Sequence, residues 1–204
     1  MKTPLITVLL AGLLVPMPAD TFSPDPDGFI RNWLVLAPIA IQEDSGASEI
    51  EKDFLGGEAD IMPKPDDKVN VDGKILTWKP HETSDFLIDF RQAFGSERGE
   101  DAAGYAVAYV LADEPMNVRL SIGSNDQCKV WLNGKPVIKF AETRTLDKDT
   151  DSADVALAKG QNVLVFKVVN EKNSWQGAAR FLKDGAGVRN IKIAVRPLEA
   201  GPHK

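Results

Sequence analysis

A chain of 204 residues with a formal net charge of −6 and one cysteine is bounded in three ways. Its acidic balance, with no basic block, makes it a poor nucleic-acid binder, because that affinity comes mainly from lysine and arginine on phosphates. Cys128 has no intrachain partner, so no disulfide staples the fold, and the length suffices for a substantial core without one.

The N-terminus reads as a leader. Lys2 precedes an apolar run from Leu5 to Val15, and Pro16-Met17-Pro18-Ala19 follows. A charged start, an apolar stretch of this length and a small residue at the cleavage point predict a signal peptide over 1–19, cut after Ala19. The run is shorter than the roughly 20 apolar residues that a spanning helix needs, and no cysteine follows it to carry a lipid. The expected protein is secreted or periplasmic, of bacterial type, with no membrane span once the leader is removed. An exported bacterial protein without disulfides is ordinary.

Residues 20–28 (DTFSPDPDG) form a Pro- and Asp-rich lead-in. A single β-sandwich domain is expected over 29–197, with a tail at 198–204. In Phe29–Ile41, Trp33, Val35 and Ala37 alternate with Leu34, Leu36 and Pro38. Both faces of this strand are therefore apolar, and Pro38 ends its regular ladder. Gln42–Leu55 suits one short surface helix, and Gly56–Gly73 reads as extended loop. Lys74–Pro80 is a strand. Phe86–Phe94 carries Phe86, Phe90 and Phe94 at a spacing that fits helix and strand equally.

From Gly104 the pattern is plainly β. Tyr105–Ala112 is a near-continuous apolar strand. In Asn117–Ser124, Val118, Leu120 and Ile122 point inward and Asn117, Arg119 and Ser121 outward. Cys128, Val130 and Leu132 then oppose Lys129, Trp131 and Asn133. Asn133-Gly134 is a type I′ turn signal, since both central positions need φ > 0. Glu142–Asp154 reads as an acidic loop and Val155–Leu157 as a short strand. Asn162–Asn170, Ala178–Leu182 and Asn190–Arg196 are further strands. Short strands with turn signals every 8–12 residues or so predict an all-β antiparallel sandwich or jelly roll with few or no helices.

The succession SNDQCKVWLNGKPV, an acidic loop, LAKGQNVLVFKVVN and Trp175 resembles the galactose-binding-like jelly roll. In that family a strand ends in an Asn-Gly turn and a second follows an L-x-x-G-x-N turn, here Leu157, Gly160 and Asn162. The resemblance covers Tyr105 to Val195. Similar domains are the sugar-binding domains of β-galactosidase-type glycoside hydrolases, so the resemblance implies a carbohydrate or cell-surface glycan as partner. The other reading of the same fold is a structural or protein-interaction domain with no sugar site.

A sugar site needs an exposed ring to stack on a pyranose and polar groups to bond its hydroxyls. Trp175, in the polar loop Asn170–Gly177, and Trp131 are the candidate rings. Asn125, Asp126, Asn170 and Arg180 are the candidate polar partners. Asp147, Asp149 and Asp151 match the first oxygen positions of an EF-hand loop. Ser152 then stands where that loop needs Gly, and Ala158 where it needs Glu. They remain candidate ligands for calcium in a looser site; no other cofactor is expected. Catalysis has little to stand on. The histidines are His81 and His203, no nucleophile elbow or zinc motif is present, and no spacing marks a glycosidase pair among the acids. Cys128 is expected to be a small apolar filler.

Overall fold

The computed structural model describes residues 20–94 and 99–198. The expected leader, most of the expected tail and His203 lie outside the described residues. The chain enters on β1 (Thr21–Phe22) and β2 (Asn32–Ala40), then turns through the one-turn helix α1 (Gly46–Glu49). A hairpin of β3 (Lys68–Val71) and β4 (Lys74–Thr77) leads to β5 (Lys79–Glu82), β6 (Ile88–Asp89) and α2 (Phe90–Phe94). The longer strands are β7 (Ala102–Ala112), β8 (Met116–Asn125), β9 (Gln127–Leu132) and β10 (Lys135–Phe140). After them come β11 (Asp151–Leu157), β12 (Gly160–Asn170), β13 (Gln176–Lys183), β14 (Ala186–Gly187) and β15 (Ile191–Ala194).

The architecture is an all-β antiparallel sandwich, as the strand pattern predicts. The large sheet runs β1-β15-β7-β12-β9-β10, and the small one β11-β8-β13-β14 with β6 beside β13. Both β15 and β2 pair with β7, β15 at Tyr109–Ala112 and β2 at Ala102–Val107, and β5 lies outside β2. The β2 ladder shifts register between Leu36 and Ile39 but resumes to Ala40, so Pro38 interrupts the strand without ending it. At the other edge β10 shifts register between Pro136 and Ile138.

Alternation decides which face each residue joins. Between the sheets lie Trp33, Val35, Ala106, Val118, Leu120, Ile122, Val130, Phe166 and Phe181, all buried. A second cluster covers the outer face of the large sheet, with Leu34, Leu36, Tyr105, Val107, Trp131, Val165 and Val169 beneath Ile50, Phe54, Leu76 and Trp78. The large sheet is thus covered on both faces, which is why β2, β7 and β12 read as continuous apolar runs. The second cover comes from segments expected as surface helix and loop. Ile50 and Phe54 follow α1 into this layer, and part of Gly56–Gly73 forms β3.

The Asn133-Gly134 turn is as expected, with φ of 51° and 77° and Leu132 paired to Lys135. The Asn133 side chain also ties this turn to the next strand. Its Nδ2 donates to Asn162 Oδ1 (2.9 Å), and its Oδ1 accepts from Val163 N (2.8 Å). Phe86–Phe94 divides between the two alternatives, β6 giving way to α2 at Phe90. β11 begins at Asp151 and not at Val155, because Ser152 and Asp154 alternate with Ala153 and Val155 along β8. Leu198 packs on the outer cluster, and its backbone N–H donates to Gln161 Oε1, so it belongs to the fold and not to the tail.

Candidate functional site

Among the described residues, the small sheet presents its outer face without a second cover of the kind that lies on the large sheet. Since Val118, Leu120 and Ile122 face the core, Asn117, Arg119 and Ser121 of β8 face outward, as the sequence predicts. Cross-strand register sets Asp154 of β11 and Leu182 of β13 on either side of Arg119, and Ser152 and Arg180 beside Ser121. A groove of about 420 Å³ opens here, lined by Asn117, Arg119, Asp154, Leu182, Lys183 and Asp184 among others. Arg119 Nε donates to Asp154 Oδ1 (2.9 Å) and Nη2 to Oδ2 (3.3 Å), a two-pronged pair. Both side chains are well exposed, at 56% and 77%. The guanidinium's hydrogen bond and charge hold the Asp154 carboxyl below its ordinary range.

Further along the same face Arg180 clasps Asp149, whose carboxylate also accepts Ser121 Oγ at 2.6 Å. The arginine bond is the largest cause holding Asp149 low. The Arg180 guanidinium lies 4.7 Å from the Phe29 ring centroid, and Lys148 Nζ lies 4.1 Å from that of Phe86. Arg180 is therefore the one predicted sugar-binding residue on this face, with the calcium candidate Asp149 held against it.

The predicted stacking rings are elsewhere. Trp175 is 1% exposed and Trp131 4%. Trp175 stacks on Phe90 at 4.9 Å and an interplanar angle of 20°, and its Nε1 donates to Val168 O (3.3 Å). The polar character of NEKNSWQG does not set this ring's position, because Trp175 stands just before β13 and turns inward under α2. Trp131 lies on the outer face of the large sheet under the second cover, with Lys129 Nζ 5.3 Å from its ring centroid. Neither ring can stack on a sugar, which corrects the expected role of both.

Asn125, Asp126 and Asn170 lie at one end of the sandwich, where Asp126 and Asn170 act as ties between loops, while the buried Asn125 Oδ1 has no hydrogen-bond partner among the described residues. Asp126 Oδ1 accepts Arg144 N (3.0 Å) and Oδ2 accepts Glu171 N (3.2 Å), while Asn170 Nδ2 donates to Gly99 O. Strand parity separates their neighbours. Asn170 shares the inner side of β12 with Val168, whereas Gln127 is paired to Val169 on the outer side. Asn125, Asp126 and Asn170 are 6%, 7% and 0% exposed, so a ligand in solution does not reach them as predicted.

The three aspartates expected to hold calcium do not gather into one group. Asp149 is engaged by Arg180, and Asp151 opens β11 with its carboxylate on Arg144. The Asp147 backbone carbonyl accepts Thr150 Oγ1 at 2.8 Å. Among the described residues no group of three or more His, Cys, Asp or Glu can hold a metal ion. A chelator is expected to leave the thermal midpoint unchanged, since the Asp149 and Asp151 carboxylates are held by arginines and do not gather with Asp147 around one point; a midpoint that falls with chelator and returns with calcium contradicts this. Cys128 is fully buried, as expected of a filler, and burial pushes its thiol up. His81 pairs with Trp33 along the β2–β5 ladder, and burial pushes its imidazole down.

Sequence reasoning passed over Asp154 and Lys183. The outward parity of Arg119 was the signal that leads to them, because its cross-strand neighbours complete the groove.

No protein-family model and no curated protein matches the chain. Among solved structures it is similar to the PA14 domain of the MpAFP antifreeze protein, at 11% identity and a TM-score of 0.47, covering 90% of this chain and 96% of that one. It is also similar to a β-glucuronidase of Faecalibacterium prausnitzii (15%, 0.42), covering 76% of this chain and 22% of that one. A GH31 α-xylosidase of Xanthomonas citri follows (10%, 0.37), with 86% and 19% covered. The chain thus spans about a fifth of each hydrolase chain. No helix among the described residues is long and apolar enough to cross a membrane.

Proposed function

We propose that this protein is an exported, non-catalytic carbohydrate-binding module of the galactose-binding-like kind, and that its ligand lies in the groove on the outer face of the small sheet. The observation that carries this reading is the Arg119–Asp154 pair, exposed at the lining of a groove of about 420 Å³. A guanidinium offers only donors and a carboxylate only acceptors. Side by side, they meet neighbouring sugar hydroxyls, each of which both donates and accepts. Asn117 and Lys183 add further polar contacts, and Leu182 gives the groove an apolar wall. With both tryptophans in the core, recognition rests on hydrogen bonds, and the expected affinity is modest.

The burial of those rings favours a second reading, in which the same groove takes a loop of a protein partner. A glycan array and titration calorimetry with wild type, Arg119→Ala and Asp154→Ala separate the two. An exposed ion pair adds little to stability, so both variants should keep the wild-type melting midpoint. Glycan binding by wild type that weakens at least tenfold in each variant, a loss of about 1.4 kcal/mol, supports the proposal. Wild type that binds no glycan on the array overturns it in favour of the protein partner.

A further inference from the structure

On the outer face of the large sheet, residues 42–61 form a strap. Ile50 and Phe54 pack onto the second cluster, and Glu51 grips β9 and β10 through Lys129 (2.8 Å) and Lys139 (2.6 Å). The central contact is Lys167, in the middle of β12 and 0% exposed. Its Nζ donates to the backbone carbonyls of Glu49 (3.0 Å), Ile50 (3.1 Å) and Lys52 (2.6 Å) and lies 3.4 Å from Glu58 Oε2. Carbonyls at the C-terminal end of a helix have no partner within it, so this lysine caps α1 from the sheet below. Glu58 Oε2 in turn accepts Tyr105 Oη at 2.5 Å. The strap cannot seat without dehydrating the Lys167 ammonium, and Lys167 cannot reach these carbonyls unless the strap is seated.

We propose that the strap is a proton-linked cover, opening as a unit separate from the sandwich, with the charge state of Lys167 setting how firmly it closes. The charged and titratable groups that act on this lysine are Glu58 and Asp53 of the strap and Lys129 of β9. Tyr105 of β7 lies beside it, its ring centroid 5.8 Å from Nζ, and Lys52 shares the Phe54 ring with it, at 4.8 and 4.7 Å. Burial outweighs the nearby carboxylates and pushes Lys167 down to about 8 from its ordinary 10.5. A strap lifted into water returns the amine to its ordinary value. Between these two values the closed form binds fewer protons than the open one, so closure strengthens as pH rises through that window. Burial pushes Tyr105 upward, which keeps its hydroxyl protonated throughout.

Native-state hydrogen exchange at pH 7 and pH 9, corrected for intrinsic rates, tests this. The opening constant of strap amides in 46–58 should exceed that of core amides of β7 and β12 at both pH values and fall roughly tenfold between them; core amides that exchange by global unfolding, which also frees Lys167, should fall with it. In Lys167→Met the strap value should not change with pH. A strap whose opening is equal at both pH values in wild type overturns the proposal, as do strap amides that open no more readily than the core, or a tenfold change that survives in Lys167→Met. Should that variant fail to fold, the comparison of strap and core amides in wild type decides the matter.

Discussion

Glu58→Ala is expected to lower the unfolding free energy by about 3–5 kcal/mol, the usual consequence of deleting one partner of a buried ion pair. The substitution leaves the Lys167 ammonium at 0% exposure with no carboxylate beside it and removes the acceptor of the Tyr105 hydroxyl. Both groups then carry a desolvation cost that the native network offsets. The measurement is a urea titration of wild type and variant. A second chain, Glu58→Met with Lys167→Met, should lose less than Glu58→Ala, because replacing both charges with apolar groups leaves none stranded. A single variant within about 1 kcal/mol of wild type would mean that water reaches the lysine, and the strap would then be no seal.

Trp175→Ala is expected to cost about 3–5 kcal/mol, the range for truncating a large buried aromatic ring. The loss combines the stack on Phe90, the bond to Val168 O and the space left under α2. The neighbourhood is tight: a Cβ on Gly104 would lie 2.7 Å from Trp175 Cζ2 and 3.0 Å from Phe90. Collapse into the vacated volume is therefore restricted, which argues for the upper part of the range. Thermal or urea unfolding measures the effect, and glycan titration of the folded fraction supplies the contrast. A stable variant that loses binding would reverse the reading of this ring, because a core residue lowers the folded population and not the affinity of what remains folded.

Much of the sandwich is legible in the sequence, and the reasons are local. Asn133-Gly134 states its turn chemically. Period-two alternation places Val118, Leu120 and Ile122 inside and Arg119 outside without any tertiary information. Apolar residues on both sides of Phe29–Ile41 announce a doubly covered strand before the second cover is known. The failures have equally local causes. Asp151–Asp154 reads as loop because polar residues at the outward positions 152 and 154 of a half-exposed strand, with Asp151 at its start, look like solvated loop in composition. Trp175 sits among polar neighbours that point away while it alone turns in, and single-residue orientation has no periodicity to reveal it.

The Lys167–Glu58 pair is a mixed case. A lysine in NVLVFKVVN, at the same parity as Val165 and Val169, must have partners if it is buried, so half of the network is marked in the chain. Glu58 is 109 residues away in a Gly-rich loop, and no local pattern joins the two. The groove divides in the same way. Arg119 is visible from alternation, whereas Asp154 and Leu182 reach it only through the register of β11 and β13.

The register shift in β10 bears on how copies of this protein meet. A sheet edge is an unpaired ladder of donors and acceptors that invites another chain to add a strand. Here the outermost strand carries Pro136, which has no N–H to give, between Lys135 and the shift, with Lys139 beyond it. On the opposite side β5 presents Lys79 and Pro80, and the small sheet ends in β11 with Asp151 and Asp154. Each of these three margins thus carries a missing donor, a bend or a charge, the devices that keep β-proteins from polymerising edge to edge. Fibre growth by strand addition has no flat, uncharged margin to start from on these strands, which leaves the faces of the sandwich for recognition.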